Sequence, residues 1–205
     1  MTLQKRIFDI AFALTIGLPV LLAVAVISLV IVIRGEGPVF YISRRMKTLN
    51  KEFLLIKIRT MASTKEGDSG VTGADKAERI TPTGALLRRY RLDELPQIWN
   101  VLRGDISVVG PRPPLREYVT RFPEVYEKVL KSRPGLTGLA TLKYHRHEAA
   151  LLAQTSSAGE TDRIYVTRCI PAKARLDLIY QKHSSICFDA VILLTTVKKI
   201  WARSG

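Results

Sequence analysis

The chain has 205 residues, 47% of them hydrophobic, which is long enough to bury one good core. Its formal net charge of +14 at pH 7 requires an anionic partner, and nucleic acid, anionic lipid headgroups and phosphorylated small molecules all qualify. Two cysteines, Cys169 and Cys187, without a paired-cysteine motif exclude a disulfide framework and fit a reducing compartment.

The first element is an apolar segment, residues 10–33, that carries no charged side chain. As a straight helix it would be about 36 Å long, sufficient to cross a hydrocarbon core of about 30 Å. Basic residues flank both ends, which favours two cytoplasmic ends: Lys5, Arg6, Arg34, Arg44, Arg45 and Lys47. Pro19 removes a helical hydrogen bond and can bend the chain back. The sequence therefore predicts a re-entrant helix-break-helix hairpin over residues 1–34, with a single spanning helix as the alternative.

Two short strands are predicted next, over residues 38–43 and 53–59. In the second strand, two isoleucines alternate with Lys57 and Arg59, so one face is apolar and the other is cationic. The cationic face is either solvated or holds phosphates or lipid headgroups. Residues 62–84, rich in Gly, Ser, Thr and Asp and without periodicity, are predicted to form a loop, and a mobile cover over an active site is one interpretation.

The adjacent carboxylates Asp93 and Glu94 carry the strongest chemical signal in the chain. Because proline is tolerated only in the first turn of a helix, Pro96 predicts a helix from about Glu94 to Arg103, with Asp93 as N-cap and Gly104 just past its end. The N-terminus of a helix favours anions, including a substrate phosphate. The structural alternative is that both acids only cap an ordinary helix.

Arginines surround this pair of acids: Arg88, Arg89, Arg91 and Arg112. A simple helix cap needs no such concentration of guanidinium groups, which suit multidentate phosphate recognition. Acids among several cations indicate a bound diphosphate with a divalent metal. One or two carboxylates, phosphate oxygens and water are enough to hold Mg²⁺.

The second half of the chain is predicted to be mostly helical. Residues 115–131 form a helix that restarts at Pro123, and residues 133–135 form a turn that fixes Arg133. His145 and His147 point apart on a helix and have no obvious third ligand, so solvated or phosphate-facing histidines are favoured over a metal site.

Two helices are predicted at the end, over residues 171–182 and from Ser184 or Ser185 to about Ala202. An apolar stripe on the last helix is attributed to core packing, with an interfacial membrane helix as the alternative: Ile186, Val191, Leu194, Val197 and Trp201. Asp177 and Asp189 are expected to hold arginines or to cap structure.

Several motifs, taken in their order along the chain, resemble those of the monotopic phosphoglycosyl transferases, a group of bacterial sugar transferases. Four of them are the runs LDELPQ at 92–97, WNVLRGD at 99–105, VGPRP at 109–113 and RPGLTG at 133–138. The similarity extends outward over nearly the whole chain, to Lys5-Arg6, to KIRTM at 57–61, and to Asp177, Tyr180, Ser185, Asp189 and Thr196.

The resemblance implies a helix-rich α+β membrane enzyme at the cytoplasmic face of the bacterial inner membrane, with one catalytic domain over residues 35–205. It would move a phosphosugar from a UDP-sugar to polyprenyl (undecaprenyl) phosphate, the first membrane step of polysaccharide or glycoconjugate assembly. Asp93 would attack the β-phosphorus, release UMP and carry the phosphosugar until the lipid phosphate takes it.

The resemblance also implies the supporting roles in the site. Asp93 and Glu94 would bind Mg²⁺, with Glu94 alternatively an acid–base partner. Cationic side chains would hold phosphate oxygens: Lys57, Arg59, Arg88, Arg112 and Arg133. Anionic membrane lipids are expected partners and nucleic acid is not, while a homo-oligomer is compatible with the sequence.

The chain departs from this family at two places. Leu18 stands before Pro19 where the family has a serine, whose hydroxyl could satisfy a freed carbonyl. Residues 141–148, TLKYHRHE, replace a Gln and an Asn-Gly-Arg turn of many relatives in a region expected to help choose the sugar, so the sequence does not name the sugar.

Two other functions remain open at the sequence level. One is a basic, membrane-tethered protein that binds anionic lipid or nucleic acid without catalysis, although this would not require acids inside the arginine cluster. The other is an ordinary glycosyltransferase, which would release UDP instead of UMP.

Overall fold

The apolar segment forms a single helix, α1 (Leu3–Arg34), in the computed structural model, which describes residues 2–62 and 78–202. Its 32 residues correspond to about 48 Å, so by length and composition the helix can cross a membrane. Most of its apolar side chains face outward, and Leu14, Leu18 and Leu21 are 66%, 67% and 64% exposed. Such a surface requires a lipid or protein neighbour.

Helix α1 runs through Pro19 without the interruption that was predicted there. Proline removes the hydrogen bond to the carbonyl of Thr15, four residues earlier, but the helix continues on both sides. The hydroxyl of Thr15 donates to the carbonyl of Ala11 at 2.8 Å, so it does not replace the lost donor. The re-entrant hairpin therefore stays a prediction.

The N-terminal turns of α1 are fixed to the rest of the protein by buried polar contacts. The Nζ of Lys5 donates to Asp189 Oδ2 at 2.5 Å and to the hydroxyl of Tyr180 at 3.0 Å. Asp189 is 1% exposed, so its charge is paired inside the fold. Asp189 thus holds a lysine and not the arginine expected from sequence.

Two further side chains of α1 contact the segment from α3 to β3. Arg6 donates from both terminal nitrogens, at 2.6 Å each, to the carbonyls of Val101 and Leu102. The fully buried Asp9 accepts from the hydroxyl of Ser107 at 3.0 Å and the amide of Val108 at 3.1 Å. Helix α1 is therefore anchored beside the segment that carries the adjacent carboxylates.

Strands β1 (Phe40–Thr48) and β2 (Lys51–Ile58) form an antiparallel hairpin with Phe40 opposite Ile58. Both strands are predicted by the sequence, but β1 continues five residues beyond its predicted end at Ser43. Phe53 and Leu55 are buried in the main core, and Lys57 follows them on the same side of the strand. This alternation directs Lys57 inward.

The remaining elements form a helical layer around a short parallel strand pair. In chain order they are α2 (Pro82–Tyr90), a 3₁₀ turn (Leu92–Glu94), α3 (Gln97–Arg103), β3 (Ser107–Val109), α4 (Arg116–Arg121), α5 (Pro123–Val129), β4 (Gly135–Thr137), α6 (Leu139–Leu152), α7 (Ala158–Ile164), a π-helical segment (Tyr165–Cys169), α8 (Ile170–His183) and α9 (Ile186–Trp201). β3 pairs in parallel with β4. At their crossing, a Cβ on Gly110 would lie 2.2 Å from the carbonyl oxygen of Arg133, so only glycine fits.

These bounds confirm a helix restart at Pro123, a helix close to 171–182, and the serine cap of α9, where Ser185 accepts from the amide of Phe188. The loop predicted over 62–84 is wrong at its end, because Pro82 begins α2. Residues 63–77, on which the mobile-cover interpretation falls, lie outside the described residues.

The apolar stripe of α9 is on the surface, so its attribution to core packing is wrong. Val191, Leu194 and Val197 are 56%, 63% and 53% exposed, whereas Ile192 on the opposite side is 1% exposed. Helical spacing shows which residues share a face but not what covers that face. The interfacial alternative agrees with this geometry.

Candidate functional site

The adjacent carboxylates lie on a tight turn between α2 and α3. Arg91 ends α2 in the left-handed region, with φ 57°, and the 3₁₀ turn follows at once. Asp93 is in the middle of this turn, so its prediction as a helix N-cap is wrong. Pro96 occupies the cap position of α3, because Leu95 and Pro96 already have helical dihedrals and the chain never opens into an extended cap. Gly104 ends α3 at φ 76°, as predicted.

Glu94 is a buried carboxylate surrounded by cations. Its Oε2 accepts a short hydrogen bond from Arg91, and its Oε1 lies 3.0 Å from Arg112 Nη2 and 3.7 Å from Lys57 Nζ. Burial alone would raise the pKa of Glu94, but Arg112, Arg91 and Lys57 together hold the pKa of this carboxyl well below its usual range. Glu94 is therefore ionised and organises three cations around the turn.

Asp93 has a different environment from its neighbour. Its side chain is partly buried, and within the described residues it forms no salt bridge or hydrogen bond. Burial and then the charge of Glu94 raise the pKa of Asp93 above its ordinary value. Two adjacent acids thus have pKa values pushed in opposite directions, a pattern typical of residues with separate roles.

Two cavities, of 490 and 390 Å³, meet at Asp93. Both are also lined by Arg45, Lys57 and Arg88. The larger cavity is mainly cationic and continues along the hairpin to Arg44, Arg59 and Arg116, with Tyr41 in its wall. The smaller cavity passes Glu94 and Arg112 and reaches α6 and α8. These volumes are in the range of small-molecule sites.

The structure brings together most of the residues predicted for the site. Lys57, Arg88 and Arg112 line the smaller cavity beside both carboxylates, and Arg59 lines the larger one. The backbone of Arg112 is held between Pro111 and Pro113, and its side chain is 40% exposed.

Arg133 is separated from this group. The backbone of Arg133 lies beside Gly110, but its side chain extends towards Gly104 and Arg6 and not towards Arg112. The Nη1 of Arg133 lies 3.3 Å from the position of a Cβ on Gly104, and Arg6 is adjacent. Neither cavity is lined by Arg133. The structure therefore does not bring Arg133 together with the other residues predicted for the phosphate site.

Sequence reasoning left Arg45 out of the site and counted Arg91 in the arginine cluster without giving it a partner. Arg45 donates to the hydroxyl of Ser43 at 3.1 Å and to the carbonyl of Pro113 at 3.3 Å, and burial lowers the pKa of Arg45 to about 10. Nothing in the alternation of β1 distinguishes it. Arg91 had a signal, because it stands two residues before Asp93, but its left-handed backbone was not foreseeable.

Of the two adjacent acids, Asp93 is the one whose carboxylate is available to a metal in the part of the chain that the structure describes. Both oxygens of Glu94 already face cations, whereas Asp93 opens into the cavities. No group of three His, Cys, Asp or Glu side chains occurs in the part of the chain that the structure describes. His145 and His147 are exposed, and His147 packs edge-on to Tyr144 at 5.2 Å. One carboxylate with substrate phosphates fits Mg²⁺, which rarely needs a protein cage.

Comparison with known proteins gives consistent matches over the full length. A family model described as bacterial sugar transferase matches residues 1–203. A UDP-N-acetylgalactosamine-undecaprenyl-phosphate N-acetylgalactosaminephosphotransferase of Aeromonas hydrophila is 30% identical over 98% of this chain and 44% of that protein. A UDP-glucose:undecaprenyl-phosphate glucose-1-phosphate transferase of Caulobacter vibrioides is 34% identical, over 97% and 70%. The uncharacterized sugar transferase EpsL of Bacillus subtilis is 33% identical, over 98% and 89%. The chain thus spans less than half of the first of these proteins and most of the other two.

Proposed function

Because the chain belongs to the bacterial sugar transferase family, we propose that it transfers a phosphosugar from a UDP-sugar to polyprenyl phosphate and releases UMP. Relatives named as undecaprenyl-phosphate sugar phosphotransferases support this proposal. The observation that carries it is the carboxylate of Asp93, without a counter-ion among the described residues, in a cavity lined by Lys57, Arg88 and Arg112.

The proposed chemistry has two in-line displacements at one phosphorus atom. A carboxylate oxygen of Asp93 attacks the β-phosphorus, and the bond to the bridging oxygen breaks, so that UMP leaves with the electron pair. A phosphate oxygen of the lipid then attacks the same phosphorus, and Asp93 leaves unchanged. The covalent intermediate avoids a direct reaction between two crowded anions.

Cations placed before the reaction offset the charge of the phosphates. Glu94 holds Arg112 and Lys57 within 3.7 Å of its own oxygens, so these donors need no rearrangement when substrate enters. Arg88 donates to the hydroxyl of Thr60 at 2.8 Å and lines both cavities beside Asp93. Glu94 is therefore proposed as an organiser of cations.

Mg²⁺ is the proposed cofactor, held by Asp93 together with oxygens of the diphosphate and water. When bound, it would supply further neutralisation of the two phosphates. The paired state of Glu94 makes it a poor second ligand.

The test is to incubate the detergent-solubilised protein with Mg²⁺, a polyprenyl phosphate and a panel of UDP-sugars. We expect the amount of UMP released to equal the amount of lipid-linked sugar diphosphate formed. UDP as product would indicate an ordinary glycosyltransferase. Absence of any nucleotide product would favour a non-catalytic protein that binds anionic lipid or nucleic acid.

We further propose a monotopic position at the cytoplasmic face of the membrane. The exposed apolar surface of α1, the basic residues at both of its ends and the exposed stripe of α9 beside Lys198 and Lys199 support it. Such a position would bring a soluble UDP-sugar and a membrane-embedded lipid phosphate to one cavity.

Cysteine labelling tests the re-entrant topology. Thr2→Cys, in a background with Cys169→Ala and Cys187→Ser, should resist an impermeant thiol reagent outside intact cells and react after lysis. Pro19→Ala should straighten α1 and make part of the population reactive from outside. If the Thr2→Cys variant that keeps Pro19 reacts with the reagent outside intact cells, α1 is instead a spanning helix.

Arg112→Lys should lose activity although the charge is kept. A lysine cannot reproduce the planar fork of a guanidinium whose backbone is held by Pro111 and Pro113. Loss of one charge-assisted contact predicts a fall of about 10- to 100-fold in kcat/KM for the UDP-sugar. The control is Arg89→Lys on the exposed side of α2, which should change kcat/KM less than about twofold. Equal losses in both variants would mean that the cluster acts only through bulk charge.

The activity should decline at high pH because Lys57 loses its proton. Burial and the nearby Arg112 lower the pKa of Lys57 to about 8. Only the protonated ammonium binds phosphate, so kcat/KM should fall as pH rises through about 8. In Lys57→Arg, this fall in kcat/KM should occur more than about one pH unit higher, since guanidinium stays charged. If the fall occurs at the same pH in Lys57→Arg, another group is responsible for it.

A further inference from the structure

The smaller cavity continues past the carboxylates into a second polar region. We call this region the α6–α8 pocket, lined by Thr141, His145, Glu148, Lys173 and Asp177. None of these side chains belongs to the phosphate machinery described above. The pocket and Asp93 share one cavity, so a ligand bound in the pocket adjoins the reacting carboxylate.

One side of the pocket is a fixed ion pair. Lys173 Nζ donates to Glu148 Oε1 at 2.6 Å and to the hydroxyl of Tyr165 at 3.0 Å. The side chains of Lys173 and Glu148 are 14% and 16% exposed, so the pair is largely shielded from water. These contacts fix the wall of the pocket before any ligand arrives.

Asp177 is the unsatisfied group of the pocket. It is 7% exposed, and its Oδ1 has no hydrogen-bond partner in the part of the chain that the structure describes. Burial raises the pKa of Asp177 to about 7, because Lys173 offsets the loss of solvent only in part. A buried polar group without a partner is costly, and a ligand that donates hydrogen bonds would recover that cost.

The α6–α8 pocket and the larger cavity differ in the sign of their charge, and this indicates which part of a nucleotide sugar fits each. The pocket has two carboxylates and one ammonium, whereas the described residues that line the larger cavity include six cations and three acids, with Glu52 paired to Arg44 and Arg116. Carboxylates repel phosphate and accept hydrogen bonds from hydroxyl groups. A polyprenyl chain would leave these polar groups unpaired.

We propose that the α6–α8 pocket binds the sugar ring of the nucleotide sugar, with Asp177 accepting hydrogen bonds from its hydroxyl groups and thereby selecting the sugar. This inference rests on the proposed function. It makes Asp177 a specificity-determining residue that contacts substrate, in contrast to the capping or arginine-holding role expected from sequence.

The test compares Asp177→Ala and Asp177→Asn with wild type on a panel of UDP-sugars. UMP is used as a competing inhibitor that lacks the sugar. Loss of the hydrogen bonds that Asp177 accepts in this buried site predicts a fall of about 10- to 100-fold in kcat/KM for the preferred UDP-sugar in Asp177→Ala. Asp177→Asn keeps one acceptor oxygen and should fall less. UMP lacks the sugar, so its inhibition constant should change less than about twofold. The control Glu124→Gln, on the exposed face of α5, should match wild type.

A deoxy-sugar series sharpens the result. The UDP-sugar that lacks the recognised hydroxyl should be a poor substrate for wild type, yet Asp177→Ala should not distinguish it from the parent sugar. The inference would be overturned, with the proposed function intact, if kcat/KM is unchanged in both variants. It would also be overturned if UMP binding weakens as much as kcat/KM for the UDP-sugar falls. Wild type that releases no UMP from any UDP-sugar would overturn both.

Discussion

Asp93→Asn should abolish UMP release, by more than about 1,000-fold, because an amide cannot act as the nucleophile. The fold should be kept, since the two side chains have the same shape. The pKa of Asp93 is raised in the folded state, so the ionised carboxylate opposes folding as pH rises above its unfolded value. Asp93→Asn should therefore unfold at the same or a higher temperature at pH 7, as measured in detergent.

The proposed covalent intermediate can be tested directly by mass spectrometry of the same variants. Wild type incubated with UDP-sugar and no lipid acceptor should gain the mass of one phosphosugar, and Asp93→Asn should gain none. Asp162→Asn, which alters a surface ion pair with Arg121, is the matched control and should retain both signals. Turnover near the wild-type rate in Asp93→Asn would refute the covalent mechanism.

Glu94→Gln should damage both stability and activity. It leaves Arg91, Arg112 and Lys57 without their common counter-charge at a side chain that is 9% exposed. Removing one partner of a buried ion pair typically costs about 3–5 kcal/mol in the free energy of unfolding. Activity should fall more than about 100-fold, because two phosphate-binding cations lose their positions.

The Mg²⁺ dependence of Glu94→Gln separates an organiser from a metal ligand. If Glu94 only arranges cations, the residual activity should saturate at the Mg²⁺ concentration of wild type, while the midpoint of chemical unfolding falls. A large increase in the Mg²⁺ requirement with unchanged stability would instead assign Glu94 to the metal.

The sequence predicted most of the site because most of it is local. Arg88, Asp93, Glu94 and Arg112 lie within 25 residues, and short turns keep such neighbours together. Lys57 was predicted to lie on a cationic face, but in the structure it lies on the core side of β2 with Phe53 and Leu55, where its ammonium reaches Glu94. What could not be read is burial, which makes Asp93 and Glu94 different although their side chains differ by one methylene.

The errors share a physical cause, namely tertiary contacts with no local pattern. β3 and β4 have only three residues each, too few for a period to show that the side chain of Arg133 faces Arg6 and not Arg112. The outward stripe of α9 and the unpaired Asp177 likewise depend on what packs against a helix. Helix bounds, set by Pro82, Pro123 and Ser185, follow from local chemistry and are closer to prediction.

The contacts of Lys5 can form only late in the synthesis of the chain. Its partners Tyr180 and Asp189 follow it by 175 and 184 residues. At ribosomal speed the lysine leaves the ribosome roughly 10–40 s before Asp189 does. Helix α1 is therefore synthesised well before its partners on α8 and α9 exist, and it cannot dock until they do. Chains that stop before α9 would lack the carboxylate that pairs with Lys5.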